Sequence, residues 1–142
     1  MPLSTRIAHV FVWLFCVAGI ASCESKKTAP AALPGRWNLV SQHVTNSDAT
    51  TGQVVTDYHL TGDAGDYLVL SASTFEEYSD NQLYFTAPYV QNGNTISMQG
   101  TTPRTDYSRE IQDLTNNKLV LRHKLPTIVA NQAVSIESTY SR

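Results

Sequence analysis

Beyond the first 22 residues the side chains able to do more than pack are few: His43, His59 and His123, two small groups of carboxylates, and Cys23. Imidazoles ligate metals and move protons near neutral pH. None of these three lies in an H-x-H, HExxH or His/Cys frame, and Asp57-x-His59 is the sole near pair, on one strand face. This ligand spacing supports no metal site; one would have to be assembled across strands. Glu76-Glu77 lies near Asp80, and Asp63 near Asp66. Such pairs do acid–base work when one member is buried and its pKa raised. The Gly, Ser and Asn around them indicate solvated turns instead. Thr61-Gly-Asp-Ala-Gly-Asp66 lacks the ligand count of a calcium loop, and neither a serine nucleophile elbow nor a phosphate-cradling glycine loop occurs. The expectation is no catalytic residue, no cofactor, no metal, and no enzyme.

Cys23 has a more specific setting. Met1 to His9 carries Arg6 and no acid, and Val10 to Ala21 is an unbroken run of apolar or small residues. That run is too short for a membrane span, which needs about 20 residues, and a basic segment followed by such a run is the pattern of an export signal. Ile20-Ala21-Ser22-Cys23 resembles the lipobox of bacterial lipoproteins. The resemblance implies a signal peptide over residues 1–22, cleavage before Cys23, and acylation of both its thiol and the new amino terminus. Several acyl chains hold a protein firmly where one does not. Cys16 would leave with the signal, so Cys23 remains the only cysteine and no disulfide forms within the chain. Glu24 does not match the inner-membrane retention signal, so a lipid anchor at the outer membrane of the cell envelope is expected.

The whole chain has 142 residues, 42% hydrophobic and 15% charged, with 10 basic and 12 acidic groups. Without the signal 9 basic and 12 acidic groups remain, a net −3. That balance excludes the electrostatic footprint of a nucleic-acid binder, and the low charge density excludes a disordered polyelectrolyte. Residues 23–33 form a polar, Pro/Ala-containing tether, in which Lys26 and Lys27 serve as a solubilising spacer or rest on anionic headgroups at about 1 kcal/mol each. Residues 34–142 are long enough for a single core without a disulfide or metal, and a monomer is expected.

The elements in this domain are strands. Helical periodicity never holds for three turns, Tyr, Thr and Val are plentiful, and Gly, Asn, Asp and Pro punctuate at short intervals. Trp37 to Val44 puts Trp37, Leu39, Ser41 and His43 on one face and Val40 and Val44 on the other. Gln53–Leu60, Tyr67–Phe75, Leu83–Val90, Thr95–Met98, Asp106–Leu114, Lys118–Leu125 and Ala133–Tyr140 follow. Turns are expected at Ser79-Asp-Asn-Gln82, Asn92-Gly-Asn94 and Thr115-Asn-Asn117, with Pro88 at an edge, bulge or strand end. Serial hairpins predict an all-β, antiparallel up-and-down barrel of about eight strands.

Leu33-Pro-Gly-Arg-Trp37 at the first strand resembles the lipocalins. More closely, Leu33 to Arg142 is similar to the short lipocalin-like domain of many Bacteroidota lipoproteins. Asp66-Tyr-Leu-Val, Leu114-Thr-Asn-Asn-Lys-Leu-Val-Leu121 and the closing Tyr140-Ser-Arg142 carry the rest of the match. The resemblance implies that Gly35 lets the chain turn sharply, that the Trp37 indole plugs one end, and that an arginine stacks on it. Arg142 is the candidate, Arg122 the competitor, and the roles are structural. The long lipocalins' disulfides and C-terminal helix are missing, and Thr105-Asp-Tyr107 falls too late for their second loop motif.

Tyr58, Tyr67, Phe75, Tyr84, Phe85, Tyr89 and Tyr107 either line a calyx or simply pack. The function implied by the resemblance is a non-catalytic binding module for a small apolar or amphipathic ligand. The alternative is an envelope lipoprotein that binds another protein or a polysaccharide through its outer surface, with a filled barrel.

Overall fold

A computed structural model describes residues 32–99, 106–125 and 131–142. Cys23, the expected signal peptide and most of the expected tether lie outside them. The chain forms β1 (Gly35–Asp48), β2 (Val54–Thr61), β3 (Tyr67–Leu70), β4 (Thr74–Ser79), β5 (Gln82–Asn92), β6 (Thr95–Gln99), β7 (Asp106–Leu114), β8 (Lys118–Leu125) and β9 (Gln132–Ser141). Every pairing is antiparallel, and β1 bonds to β9 as well as to β3, closing β1 and β3–β9 into an eight-stranded up-and-down barrel. The ninth strand, β2, lies outside this ring and, among the described residues, pairs only with β1.

The count of nine has a local cause. Tyr67–Phe75, expected as one strand, is broken into the β3–β4 hairpin at Ser71–Ser73. The Ser71 Oγ accepts from the Thr74 N–H at 2.8 Å and from the Ser73 N–H at 3.2 Å, a serine turn that needs neither Gly nor Pro. At the opposite end Asp80 and Asn81, with φ of 51° and 62°, make the tight turn from β4 into β5. Pro88 falls where β5 changes partner: it is the last residue in register with β4, and Tyr89 the first in register with β6.

Strands β2 and β3 share one edge of β1. Ser41–Ser47 pair with β2 and Gly35–Asn38 with β3, and residues 62–66 loop out between them opposite Leu39 and Val40. The Gly62 N–H donates to the Val40 carbonyl and the Leu39 N–H to the Asp66 carbonyl. A Cβ on residue 62 would stand 2.4 Å from the Leu39 carbonyl oxygen, so only glycine fits there. As a result β3 seals the half of the barrel around Trp37, its lower half, whereas β2 extends past the β4–β5 turn with its outer edge unpaired among the described residues.

A register shift between Leu39 and Ser41 corrects the expected faces of β1. Trp37 and Leu39 point inward; Val40 is the bulged residue and is exposed; beyond it the phase flips, so Val44 is buried. His43 thereby comes to the outer face, away from Trp37.

The core occupies the lower half. Trp37, Leu68, Leu70, Phe75, Ile96, Met98, Leu119 and Leu121 are almost wholly buried there. Leu33, the last residue of the expected tether, belongs to this core, and its carbonyl accepts the Trp37 Nε1–H at 2.8 Å. Packing is thus dense at one end of the barrel only.

Candidate functional site

At the lower end the structure places the Arg142 guanidinium carbon 3.9 Å from the centre of the Trp37 ring. Its Nη2 donates to the carbonyls of Ala32 at 2.6 Å and Pro34 at 2.8 Å. Gly35 (φ +139°) lies against this guanidinium, in a backbone region that side chains rarely adopt. Arg122 is elsewhere: it pairs with Glu137 on the outer surface at 3.1 Å.

At the upper end the interior changes character. Glu77 faces inward beside Phe85 rather than sitting in a solvated turn, and Arg109 reaches across from β7 to meet it at 3.3 Å. The side chains of Arg109 and Glu77 are 14% and 24% exposed. His123 from β8, two residues beyond Leu121, joins this polar layer, and Tyr140 from β9, level with Leu119 in the ladder and part of the core, borders it. Burial, aided by the Arg109 charge, pushes the His123 imidazole down to about 4, so it is neutral at pH 7. Burial and the nearby Glu77 charge push the Tyr140 hydroxyl up. The layer and its border therefore contain one opposed charge pair and two neutral polar rings.

Above it lies a cavity of about 390 Å³ lined by Glu77, Tyr84, Phe85, Arg109, His123 and Leu125. A second, of about 270 Å³, lies beside the 62–66 loop between Leu39, Gln42 and Tyr140 on one side and Glu77, Tyr78 and Tyr84 on the other. Glu77 and Tyr84 border both. Arg109 Nη1 is buried among these groups with no hydrogen-bond partner among the described residues. Donors in that condition cost about 1–3 kcal/mol until an acceptor arrives. Tyr84, on the rim of both cavities, is 80% exposed, and elsewhere on the surface Tyr58, Leu60 and Leu83 are about half exposed.

Of the expected aromatics, Phe85 and Tyr84 border this cavity, whereas Phe75 and Tyr89 are packed in the core and Tyr67 stacks on Tyr78 at 4.5 Å. The histidines are separated: His123 lies inside, and His43 and His59 stack on the outer face of the β1–β2 ribbon with ring centres 4.2 Å apart. Arg109 drew no notice in the sequence. Its signal there was only a cation at an inward position of an alternating strand, and its partner lies 32 residues away.

No family model, curated protein or solved structure matches this chain.

Proposed function

We propose that this chain is a lipid-anchored, lipocalin-like, non-catalytic module. It would hold a small apolar or amphipathic molecule in the upper half of its barrel, attached to the outer membrane through acyl chains on Cys23. The observation that carries this reading is the cavity of about 390 Å³ at the end opposite Trp37. An aromatic and aliphatic wall with a few convergent polar groups is the ordinary make-up of a small-molecule site. Arg109 Nη1 supplies an unsatisfied donor to orient the guest. Glu77 balances the guanidinium charge, and His123 stays neutral, which suits holding better than proton transfer.

Native mass spectrometry of full chain purified from its own membrane tests both halves together. The expected spectrum shows acyl mass on Cys23 and a retained molecule of a few hundred daltons. Leu125→Trp, which narrows the cavity, should release that molecule while leaving the acyl mass. An unmodified Cys23 overturns the anchor, and an empty wild-type barrel overturns the cargo. The second reading, an envelope protein that binds a partner through its outer surface, draws on the exposed Val54, Val55, Tyr58, Leu60 and Val90. It gains if the barrel proves empty.

A further inference from the structure

The outer face of the β1–β2 ribbon carries a side-chain constellation that the barrel's interior does not use. His43 and His59 stand directly opposite each other in the ladder, and Asp57, two residues before His59, shares their face. The imidazoles are stacked at 4.2 Å with planes 12° apart, and His43 Nε2 meets Asp57 Oδ1 at 2.5 Å. One donor atom from each residue lies within 4.8 Å of the others. We propose that His43, Asp57 and His59 form a surface site for one divalent transition-metal ion of the zinc class.

Three physical points support this assignment. Two imidazoles and one carboxylate are a borderline donor set, which selects zinc, nickel or copper over calcium or magnesium. A tetrahedral ion with bonds of about 2.0–2.2 Å needs its ligand atoms about 3.3 Å apart. The observed separations need only side-chain rotation, and Asp57 and His59 are exposed, so an ion can replace the contacts that each makes with His43. Finally, three protein ligands leave the fourth position to water. Glu137, opposite His43 on β9, is held by Arg122 and stays out of the set.

The site also has work to do. β2 is exposed along its whole length and, among the described residues, pairs with β1 alone. β9 holds the other edge of β1 here, so β2 is an edge strand secured by one ladder, and such exposed strands open before the rest of a sheet. An ion bridging His43 on β1 to Asp57 and His59 on β2 would pin the ribbon from its outer face. Folding and metal binding would then be coupled locally.

The test is zinc titration of the full chain, purified without a polyhistidine tag, followed by calorimetry and by amide exchange. Expected are one saturable site of micromolar or better dissociation constant and at least tenfold slower exchange of the Val54–Thr61 amides, with β6 unaffected. His59→Ala and Asp57→Asn should each weaken binding at least about tenfold and abolish the added protection. Both positions are exposed, so the variants keep the barrel, which circular dichroism checks. Absence of saturable binding, or equal binding by His59→Ala, overturns the site. Asp57→Asn binding like wild type overturns the three-ligand assignment.

Discussion

His123 makes the stability of the barrel depend on acid in a way that can be worked out from its surroundings. The unfolded chain takes up a proton on this imidazole at about 6.5, whereas the folded protein does so only at about 4, because the ring is buried beside Arg109. Between those two values the unfolded state binds the additional proton, so stability rises with pH. The contribution is fully present above 6.5 and is lost as the pH falls towards 4. At 1.36 kcal/mol per pH unit the full loss is about 3 kcal/mol, of which about 2.5 kcal/mol has gone by pH 4.5. Urea unfolding of wild type and His123→Gln at pH 7.5 and pH 4.5 measures it. Carboxylates that protonate over the same range act in both proteins and cancel in the difference. Wild type should therefore lose about 2.5 kcal/mol more than the variant between the two pH values. Parallel losses, within about 0.5 kcal/mol, would refute the idea that His123 is buried as a neutral ring.

Three further outcomes are expected. Gly62→Ala places a Cβ 2.4 Å from the Leu39 carbonyl oxygen, a backbone clash that should lower unfolding free energy by about 2 kcal/mol or more, read by chemical denaturation. Arg142→Ala removes the stack on Trp37 and the bonds to the Ala32 and Pro34 carbonyls; a loss of about 1–3 kcal/mol is expected, with Arg142→Lys recovering less than half. Arg109→Met alone leaves Glu77 buried without its partner and should cost about 3 kcal/mol. The double variant Arg109→Met/Glu77→Leu should recover most of that, and a thermal-unfolding double-mutant cycle checks the coupling.

Local chemistry was legible in the sequence. The tight turns at Asp80-Asn81 and Gly93-Asn94 are written in residues that adopt positive φ or close hairpins, and the alternation of β6 shows directly in its burial. Serine-made and backbone-made features were not legible. The Ser71 turn splits a run that otherwise alternates like one strand, and the Val40 bulge inverts the faces of β1 beyond it without any glycine to mark the place. The interior pair was hidden for a different reason. Glu77 stands in a sequence that looks like a turn, and only barrel closure brings it to Arg109. The same holds for His43: its spacing from Asp57 means nothing until β2 folds back on β1 in register. What one residue says of its neighbours could be read; what the closed sheet brings together could not.

The clasp of Arg142 on the carbonyls of Ala32 and Pro34 fixes a direction as well as a packing contact. It ties the chain that leads back to Cys23 to the end of the barrel plugged by Trp37. From Cys23 to Ala32 a fully extended chain reaches about 30 Å. On the proposed anchor at Cys23, the tether would leave from the plugged end, with the mouth beside Tyr84 at the other. Such an arrangement would make the protein a poor skimmer of lipid from its own leaflet. Its traffic would be with molecules or carriers that arrive from the water side.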